Sequence, residues 1–381
     1  MKIGILTLPL HTNYGGILQA WALQTILERM GHEVKVINLD RTPIKVGLLA
    51  NIYLNLRRFF AHLRYGIFYC PRNINELQKQ NYENYLIKAQ YTQHFVDENI
   101  RNFYVSNYSR DIKPTDFDAI VVGSDQIWRP KYIKYTLKTS IENAFLGFAK
   151  SWNIKKFSYA ASFGTDEWEY TKAQTVIVKD LIKKFKTVSV REHSGIKLCS
   201  EHLGVTAEQV LDPTMLLTKE DYINAFEIHK EPKSEGNLMV YILDQSDEKK
   251  IIVEQIAREK GLTSFMVGAN NDGKIPLEER IQPRLQKWLR GFYDAEFIVT
   301  DSFHACVFSI LFGKPFIAIG NTNRGLSRFE SLLGMFDLQE NLISKNIQYD
   351  NNKDYSIPLS VYKKWDFWRN KSMTYLINNL S

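Results

Sequence analysis

The stretch covering residues 296–320 limits the possible folds of this chain more than any other part of the sequence. It begins with a short apolar run rich in aromatic and β-branched residues, which predicts a strand that stops at Asp301 and Ser302. Those two residues suit the start of a helix. Residues 305–312 are apolar nearly all round and predict a buried helix. A further apolar run, 316–319, predicts a second strand.

His304 lies in the first turn of this predicted helix, just beyond the carboxyl end of the preceding strand. Open α/β sheets bind their ligands at that edge, and helix N-termini attract phosphate groups. Histidine also titrates near neutral pH and is the usual general acid or base. His304 is therefore the first candidate catalytic residue. The alternative is a core histidine whose hydrogen bonds are satisfied.

Length and composition narrow the class of protein. A chain of 381 residues is too long for one ordinary core and suits two domains. Its 44% hydrophobic and 24% charged residues are typical of a globular protein, and three scattered cysteines favour a reducing cytoplasm. The N-terminus predicts a strand rather than a signal peptide, and no apolar run approaches the roughly 20 residues that span a bilayer. The net charge of +7 permits anionic substrates or a membrane surface, and nucleic-acid binding is set aside.

The first forty residues predict a strand, a helix and a second strand, as in nucleotide-binding folds. A polar loop joins the first strand to the helix and contains Asn13, Gly15 and Gly16. The loop lacks the G-x-G-x-x-G pattern, but its glycines let a ligand approach the backbone where the helix begins. We expect this loop to line the acceptor or donor side of a site. A simple tight turn is the alternative.

Other predicted strands also end in polar residues. Ser124 and Asp125 follow the apolar run 119–122, and Arg191 follows the run 187–190. Because the carboxyl ends of parallel strands share one edge of a sheet, this series predicts one cleft.

Residues 44–113 break the strand–helix rhythm and predict a helical insertion. Arg57, Arg58 and Arg64 alternate there with aromatic residues on an amphipathic segment. Such a pattern is typical of helices that lie on a membrane surface. The alternative is an insertion packed on its own domain, with arginine stems covering apolar surface.

Residues 231–237 have the composition of a linker, and a second strand–helix series follows them. The sequence therefore predicts an N-terminal Rossmann-like domain over 1–230 and a C-terminal one over 237–360. An amphipathic helix over 361–381 is expected to pack back on the first domain. The predicted fold class is α/β, with two Rossmann-like domains facing across a cleft, as in GT-B glycosyltransferases.

Seven short motifs, taken in order, resemble the polysaccharide pyruvyl transferase family: N-Y-G-G-I-L-Q-A-W-A-L-Q, V-G-S-D-Q-I-W, S-Y-A-A-S-F-G, V-S-V-R-E, L-D-P-T, T-D-S-F-H-A and N-R-G-L-S-R-F. Each motif is modest, but their order and spacing are specific. The resemblance implies a GT-B-like fold and transfer of the pyruvyl group of phosphoenolpyruvate onto two hydroxyls of a sugar. The product would be a cyclic ketal in a capsule, exopolysaccharide or cell-wall polymer.

The resemblance also implies residue roles. Arg191 matches an arginine that binds the anionic donor, and His304 matches the family's histidine. The family often has an arginine where this chain has Ser302, so Arg324 or Arg328 is expected to supply that charge at the donor site. An ion pair with Glu192 or Asp212 is the alternative for Arg191, and a solvated loop is the alternative for the other two arginines.

Two carboxylates, Asp125 and Asp301, lie nearest the predicted cleft. Either is a candidate to orient His304 or to accept a proton from a sugar hydroxyl, and both also suit helix caps. We place Asp301 with His304 as catalytic. The remaining histidines show no spacing typical of a metal site, so neither metal nor cofactor is expected.

Two other functions remain open. One is a glycosyltransferase of the same architecture that uses a nucleotide sugar, since a fold alone does not define an activity. The other is a non-catalytic saccharide-binding protein. For a pyruvyl transferase, the expected partners are phosphoenolpyruvate and a lipid-linked saccharide, with peripheral contact at the inner membrane face.

Overall fold

The computed structural model describes residues 1–66, 73–137, 139–269, 275–320, 325–343 and 349–381. The strands are β1 (Lys2–Leu6), β2 (Glu33–Leu39), β3 (Asn102–Val105), β4 (Ala119–Val122), β5 (Lys155–Ser158), β6 (Val188–Val190), β7 (Ala207–Gln209), β8 (Leu238–Tyr241), β9 (Ser264–Met266), β10 (Phe297–Thr300), β11 (Phe316–Ile319) and β12 (Leu342–Ile343). The helices are α1 (Tyr14–Arg29), α2 (Leu48–Tyr65), α3 (Ile74–Asn99), α4 (Tyr108–Asp111), α5 (Pro130–Tyr132), α6 (Lys172–Ile182), α7 (His193–Leu198), α8 (Lys219–Ala225), α9 (Asp247–Lys260), α10 (Leu285–Asp294), α11 (Phe303–Phe312), α12 (Ser327–Met335) and α13 (Ser360–Leu380).

Two parallel sheets organise the chain. The N-terminal sheet has the order β3-β2-β1-β4-β5, and the C-terminal sheet has the order β12-β11-β10-β8-β9. Strands β6 and β7 pair with each other, and single bridges from Phe157 to Thr187 and from Ala161 to Val190 attach them to the end of β5. Both sheets are Rossmann-like, so the predicted α/β, GT-B-like fold class is confirmed.

The stretch 296–320 forms β10, α11 and β11, as its pattern predicts. Every residue of α11 is buried, which explains why the sequence is apolar on all sides. The helix ends at Gly313, which has a φ of +65° and closes the last turn without the strain that a side chain would cause. The first turn of α11 is therefore held rigidly at the edge of the sheet.

The predicted insertion over 44–113 contains α2, α3 and α4, but it also contains a strand. β3 pairs with β2 at the edge of the N-terminal sheet. It is a short edge strand, NFYV, in which only Val105 is fully buried, so it lacks the long apolar run typical of a central parallel strand. Helix α3 packs between the two halves, against α1 and α10.

The C-terminal helix α13 returns to the N-terminal sheet. Trp365 Nε1 donates to the Met215 carbonyl oxygen at 2.8 Å, and Arg369 Nε donates to the Leu216 carbonyl oxygen at 2.7 Å. Further along, the Tyr375 hydroxyl donates to the Ser158 carbonyl oxygen at 2.9 Å. Within the described ranges, no helix combines the length and apolarity that a membrane crossing requires.

Tyr14, in the first turn of α1, joins the two halves. Its side chain is fully buried, its ring centroid lies 5.2 Å from that of Trp288, and its hydroxyl donates to the Pro283 carbonyl oxygen at 2.7 Å. An N-terminal residue thus completes the core beneath the C-terminal sheet. The cleft is closed at this point by packing rather than by a flexible hinge.

We expect Tyr14→Ala to lower the free energy of unfolding by about 3–5 kcal/mol, because it leaves a cavity between the domains. Tyr14→Phe removes only the hydrogen bond and should cost about 1 kcal/mol. Urea denaturation measures both. The control is Tyr53→Ala on α2, where the side chain is 64% exposed and the change should stay within about 0.5 kcal/mol. Equal effects of the two alanine variants would show that Tyr14 does not join the domains.

Candidate active site

Gly15 and His304 face each other across the junction of the domains. A Cβ atom placed on Gly15 would lie 2.1 Å from His304 Nδ1, so the imidazole rests directly against the backbone at the start of α1. Only glycine permits this approach. His304 is 6% exposed, and in the described part of the chain its Nε2 has no hydrogen-bond partner. The structure therefore brings the predicted loop and the predicted histidine together.

Arg191 follows β6 and is buried beside three carboxylates. Its Nη1 donates to Asp212 Oδ2 at 2.8 Å, while Nη2 lies 3.6 Å from Asp125 Oδ1 and Nε lies 4.0 Å from Glu192 Oε2. Burial alone would lower the pKa of this guanidinium, but the three carboxylates outweigh that effect and raise it. Among the described residues, Nε and Nη2 make no hydrogen bond. The Nε–Nη2 edge of the guanidinium therefore lacks a hydrogen-bond acceptor, although two carboxylates lie close to it.

Asp212 connects Arg191 to His304. Its Oδ2, which accepts from Arg191, lies 3.6 Å from His304 Nε2. Its Oδ1 accepts from the amide and the hydroxyl of Thr214 at 3.0 and 2.7 Å. Burial alone would raise the pKa of Asp212, but the neighbouring His304 ring, Arg191 and Thr214 hold it well below its usual range. The carboxylate of Asp212 therefore stays ionised.

Phe303 brings a second arginine to Arg191. The Arg191 guanidinium carbon lies 4.2 Å from the centre of the Phe303 ring, and the Arg328 guanidinium carbon lies 5.6 Å from it. Arg328 is buried in α12, so its interpretation as part of a solvated loop is wrong. Burial, and then the like charge of Arg191, lower the pKa of Arg328 to about 10. Two buried guanidinium groups therefore contact the same aromatic ring.

Ser124 and Asp125 form the turn after β4. The Ser124 amide donates to Gln19 Oε1 at 3.0 Å, and the Ser124 hydroxyl lies 3.2 Å from Asp212 Oδ2. Asp125 is 5% exposed and has a φ of +61°, a conformation that L-residues rarely adopt. The turn thus places the Asp125 carboxylate beside Arg191.

The predicted pairing of Asp301 with His304 is corrected by the structure. Asp301 Oδ1 accepts from the Leu243 amide at 2.6 Å, and Oδ2 accepts from the Asp244 amide and from Lys249 Nζ at 3.1 and 2.7 Å. Both oxygens therefore tie β10 to the end of β8. The carboxylate beside His304 is Asp212.

The other predicted residues occupy varied positions. Ser302 is 7% exposed and stands immediately before α11, although its side chain makes no capping hydrogen bond. Asn13 precedes α1 and is exposed, and Gly16 lies in the first turn of that helix. Arg324 lies outside the described residues.

Two residues of the site were missed by the sequence reasoning. Asp212 was noted only as a possible ion-pair partner of Arg191, although its position after an apolar run in L-D-P-T gave the same signal as the other strand ends. Phe303 carries no polar signal, and its role depends on which arginines the fold brings to its ring. Glu192 links Arg191 to the loop after β5, since its Oε1 accepts from the Phe163 amide and the Ser162 hydroxyl, both at 2.8 Å.

Comparison with known proteins now identifies the class of this site. The family model described as polysaccharide pyruvyl transferase matches residues 13–323, which is well over half of the chain. The protein belongs to the polysaccharide pyruvyl transferase family, and the resemblance seen in its motifs is confirmed. No curated protein shows a significant match to the sequence.

Similar solved structures include two UDP-GlcNAc 2-epimerases. The enzyme from Neisseria meningitidis bound to UDP-GlcNAc has 10% sequence identity and a TM-score of 0.49, with coverage of 100% of this chain and 99% of that one. The enzyme from Methanocaldococcus jannaschii has 12% identity and a TM-score of 0.47, again with 100% and 99% coverage. The E. coli heptosyltransferase WaaC with ADP has 12% identity and a TM-score of 0.38, with 97% and 100% coverage.

The contact between Gly15 and His304 gives a matched pair of variants. Gly15→Ala should lower the free energy of unfolding by about 1–3 kcal/mol, because the new methyl group displaces the histidine or parts the domains. In Gly16→Ala the methyl group would meet only the exposed Asn13 side chain at 3.4 Å, and helix propensity should stabilise the protein by about 0.5–1 kcal/mol. Urea denaturation compares them, and effects of the same sign would contradict the assigned packing.

Proposed function

We propose that the protein transfers the pyruvyl group of phosphoenolpyruvate to two hydroxyls of a saccharide, forming a cyclic ketal. The observation that carries this proposal is the Nε–Nη2 edge of Arg191, which lacks a hydrogen-bond acceptor among the described residues, on a side chain joined to His304 through Asp212. Such an edge binds two oxygens of a carboxylate or phosphate. Family membership supports the class of reaction, and the arginine pair with the histidine supports an anionic donor that requires protonation.

Arg191 and Arg328 together suit the two anionic groups of phosphoenolpyruvate. This donor carries a carboxylate and a phosphate close together, and a single guanidinium cannot hold both. Arg328 would supply the charge that the family often draws from the position of Ser302. Neither role requires a metal ion, and the described residues contain no group of three or more metal-binding side chains.

His304 is the proposed general acid. Protonated His304 gives its proton to the methylene carbon of the donor, so that a methyl group forms and C2 becomes electrophilic. A sugar hydroxyl adds to C2 and gives its proton to the neutral His304. The C2–O bond to phosphate then breaks, phosphate leaves with the bonding electron pair, and a second hydroxyl adds to C2 and gives its proton to the departing phosphate. Asp212 would stabilise the imidazolium form of His304 before the first step and after its reprotonation.

The reaction proposal predicts separable effects on binding and turnover. Phosphoenolpyruvate should raise the melting temperature of the wild-type protein, whereas UDP-GlcNAc should not. His304→Gln should keep that shift but lower the rate of saccharide-dependent phosphate release by about 100- to 10,000-fold. The control is His94→Gln on α3, where the side chain is 69% exposed. Near-normal turnover of His304→Gln would remove the assigned role, and stabilisation by UDP-GlcNAc alone would favour a glycosyltransferase.

We further propose that α2 holds the protein against an anionic membrane at the inner face of the cell. Its exposed apolar side chains recur at spacings of three and four residues and so form one face, comprising Leu48, Leu49, Ile52, Tyr53, Leu56, Phe59, Phe60 and Leu63. Arg57 and Arg64 are exposed at one margin of this face. No acidic residue occurs between Asp40 and Glu76. An apolar face with only positive charge beside it suits anionic lipids.

Arg58 does not belong to this surface. It is half-buried on the side of α2 that packs against α3, and its Nη1 is shielded from solvent. The sequence pattern grouped Arg58 with Arg57 because the two are adjacent in the chain. In an α-helix, however, adjacent side chains point to different sides of the axis. An acceptor carried on a lipid would meet the protein at the exposed apolar face of α2.

Membrane binding is predicted to depend on both features of α2. Leu49→Gln with Phe60→Gln should weaken binding to vesicles of phosphatidylcholine and phosphatidylglycerol by about 10-fold or more. Arg57→Glu should weaken binding to these vesicles only, leaving any binding to pure phosphatidylcholine unchanged. Cosedimentation measures both. Leu359→Gln with Phe367→Gln is the control, since these side chains are 83% and 65% exposed elsewhere. Equal effects of the two double variants would exclude a specific role for α2.

A further inference from the structure

Two nitrogen-bearing side chains follow strands of the N-terminal sheet, apart from the donor groups, and a third lies on α3. His11 follows β1 and Arg41 follows β2, while Lys88 lies in the middle of α3. Because β2, β1 and β4 are neighbours in the sheet, His11 and Arg41 share an edge with Asp125, which follows β4. Asp125 therefore separates this group from Arg191 of the donor site.

Arg41 has the features of an anion-binding residue. Its guanidinium carbon lies 5.0 Å from the centre of the Tyr85 ring, which fixes the plane of the group. Its Nε and Nη2 are shielded from solvent and lack a hydrogen-bond partner in the part of the chain that the structure describes. The adjacent Asp40 does not neutralise it, since Asp40 Oδ1 accepts from the Thr42 amide at 2.9 Å. Buried N–H groups without acceptors are unfavourable unless a ligand satisfies them.

Lys88 and His11 complete the group. The Lys88 carbonyl oxygen accepts from the Gln282 amide at 2.9 Å, so this residue lies where α3 meets the C-terminal domain. No carboxylate among the described residues forms an ion pair with Lys88 or Arg41. Burial first, then the charges of Arg41 and Lys88, lower the pKa of His11 to about 4, although Asp125 opposes them. His11 is thus neutral near pH 7, and the charges of both Arg41 and Lys88 act on it.

We propose that Arg41, Lys88 and His11 bind the phosphate or diphosphate of a glycosyl phosphate acceptor, whose sugar then lies toward Asp125 and the donor site. This inference rests on the proposed pyruvyl transfer for the identity of the second substrate. The Nε–Nη2 edge of Arg41 takes two phosphate oxygens, and Lys88 supplies a second charge. Only six residues separate Arg41 from Leu48, the start of α2. A lipid attached to the diphosphate would therefore extend toward the membrane surface.

The test fills the donor site with phosphoenolpyruvate and titrates inorganic pyrophosphate by calorimetry. Arg41→Gln with Lys88→Gln should weaken pyrophosphate binding by about 10- to 100-fold and leave the thermal shift by phosphoenolpyruvate unchanged. Arg41→Lys should restore part of the affinity, because it keeps the charge without the two-pronged edge. Lys35→Gln with Lys79→Gln, two exposed lysines, removes equal charge as a control and should have little effect.

Unchanged pyrophosphate binding in Arg41→Gln with Lys88→Gln would overturn the subsite. If pyrophosphate binding depends on these residues while phosphoenolpyruvate gives no thermal shift, the subsite stands and the proposed pyruvyl transfer fails. Geranyl diphosphate and UDP then identify the source of the phosphate. Tighter binding of geranyl diphosphate, reduced by Leu49→Gln, supports a lipid-linked acceptor, and tighter binding of UDP supports a nucleotide-linked one.

Discussion

The ionised Asp212 carboxylate is the group on which the rest of the site depends. An isolated charge at this depth would be strongly unfavourable, so it persists only because Arg191, Thr214 and His304 surround it. Arg191 and Thr214 come from the N-terminal half, and His304 comes from the C-terminal half. The charge balance of the site is therefore completed only when the two domains meet. The close fit of His304 on Gly15 fixes that meeting to one geometry.

The charges around Arg191 explain why one arginine would not suffice for a doubly anionic donor. Asp125, Glu192 and Asp212 all lie within 4.0 Å of its nitrogens, so an incoming anion meets carboxylates as well as a cation. Arg328 changes this balance of charges. It lies near the same Phe303 ring as Arg191 and adds a second positive charge there. Burial, and then repulsion from Arg191, lower the pKa of Arg328, and an anion placed beside both guanidinium groups would relieve the repulsion.

Patterns of apolar runs predicted the elements that build the cleft, because buried parallel strands are apolar on both faces and end abruptly. They also placed Arg191, Ser124 and His304 just beyond the carboxyl ends of strands, where the structure has them. The patterns did not predict which of these residues contact each other. Asp301 and Asp212 both follow apolar runs, and sequence proximity favoured Asp301 for His304, but the crossing of the chain between domains brings Asp212 there instead. Which strand end lies opposite which depends on domain packing, and local sequence does not record it.

Local sequence likewise does not record what covers the apolar face of α2. Among the described residues, α2 packs on α3 and leaves Leu48, Leu49 and Phe60 77%, 83% and 63% exposed. Contiguous apolar surface of this kind is unfavourable in water, so an occupant outside the chain is the simplest reason for it to be kept. Arg41 occupies the short connection between the end of β2 and this helix. The proposed membrane surface and a guanidinium that lacks an acceptor among the described residues thus adjoin along the chain, and a phosphate carried by a lipid would satisfy both at once.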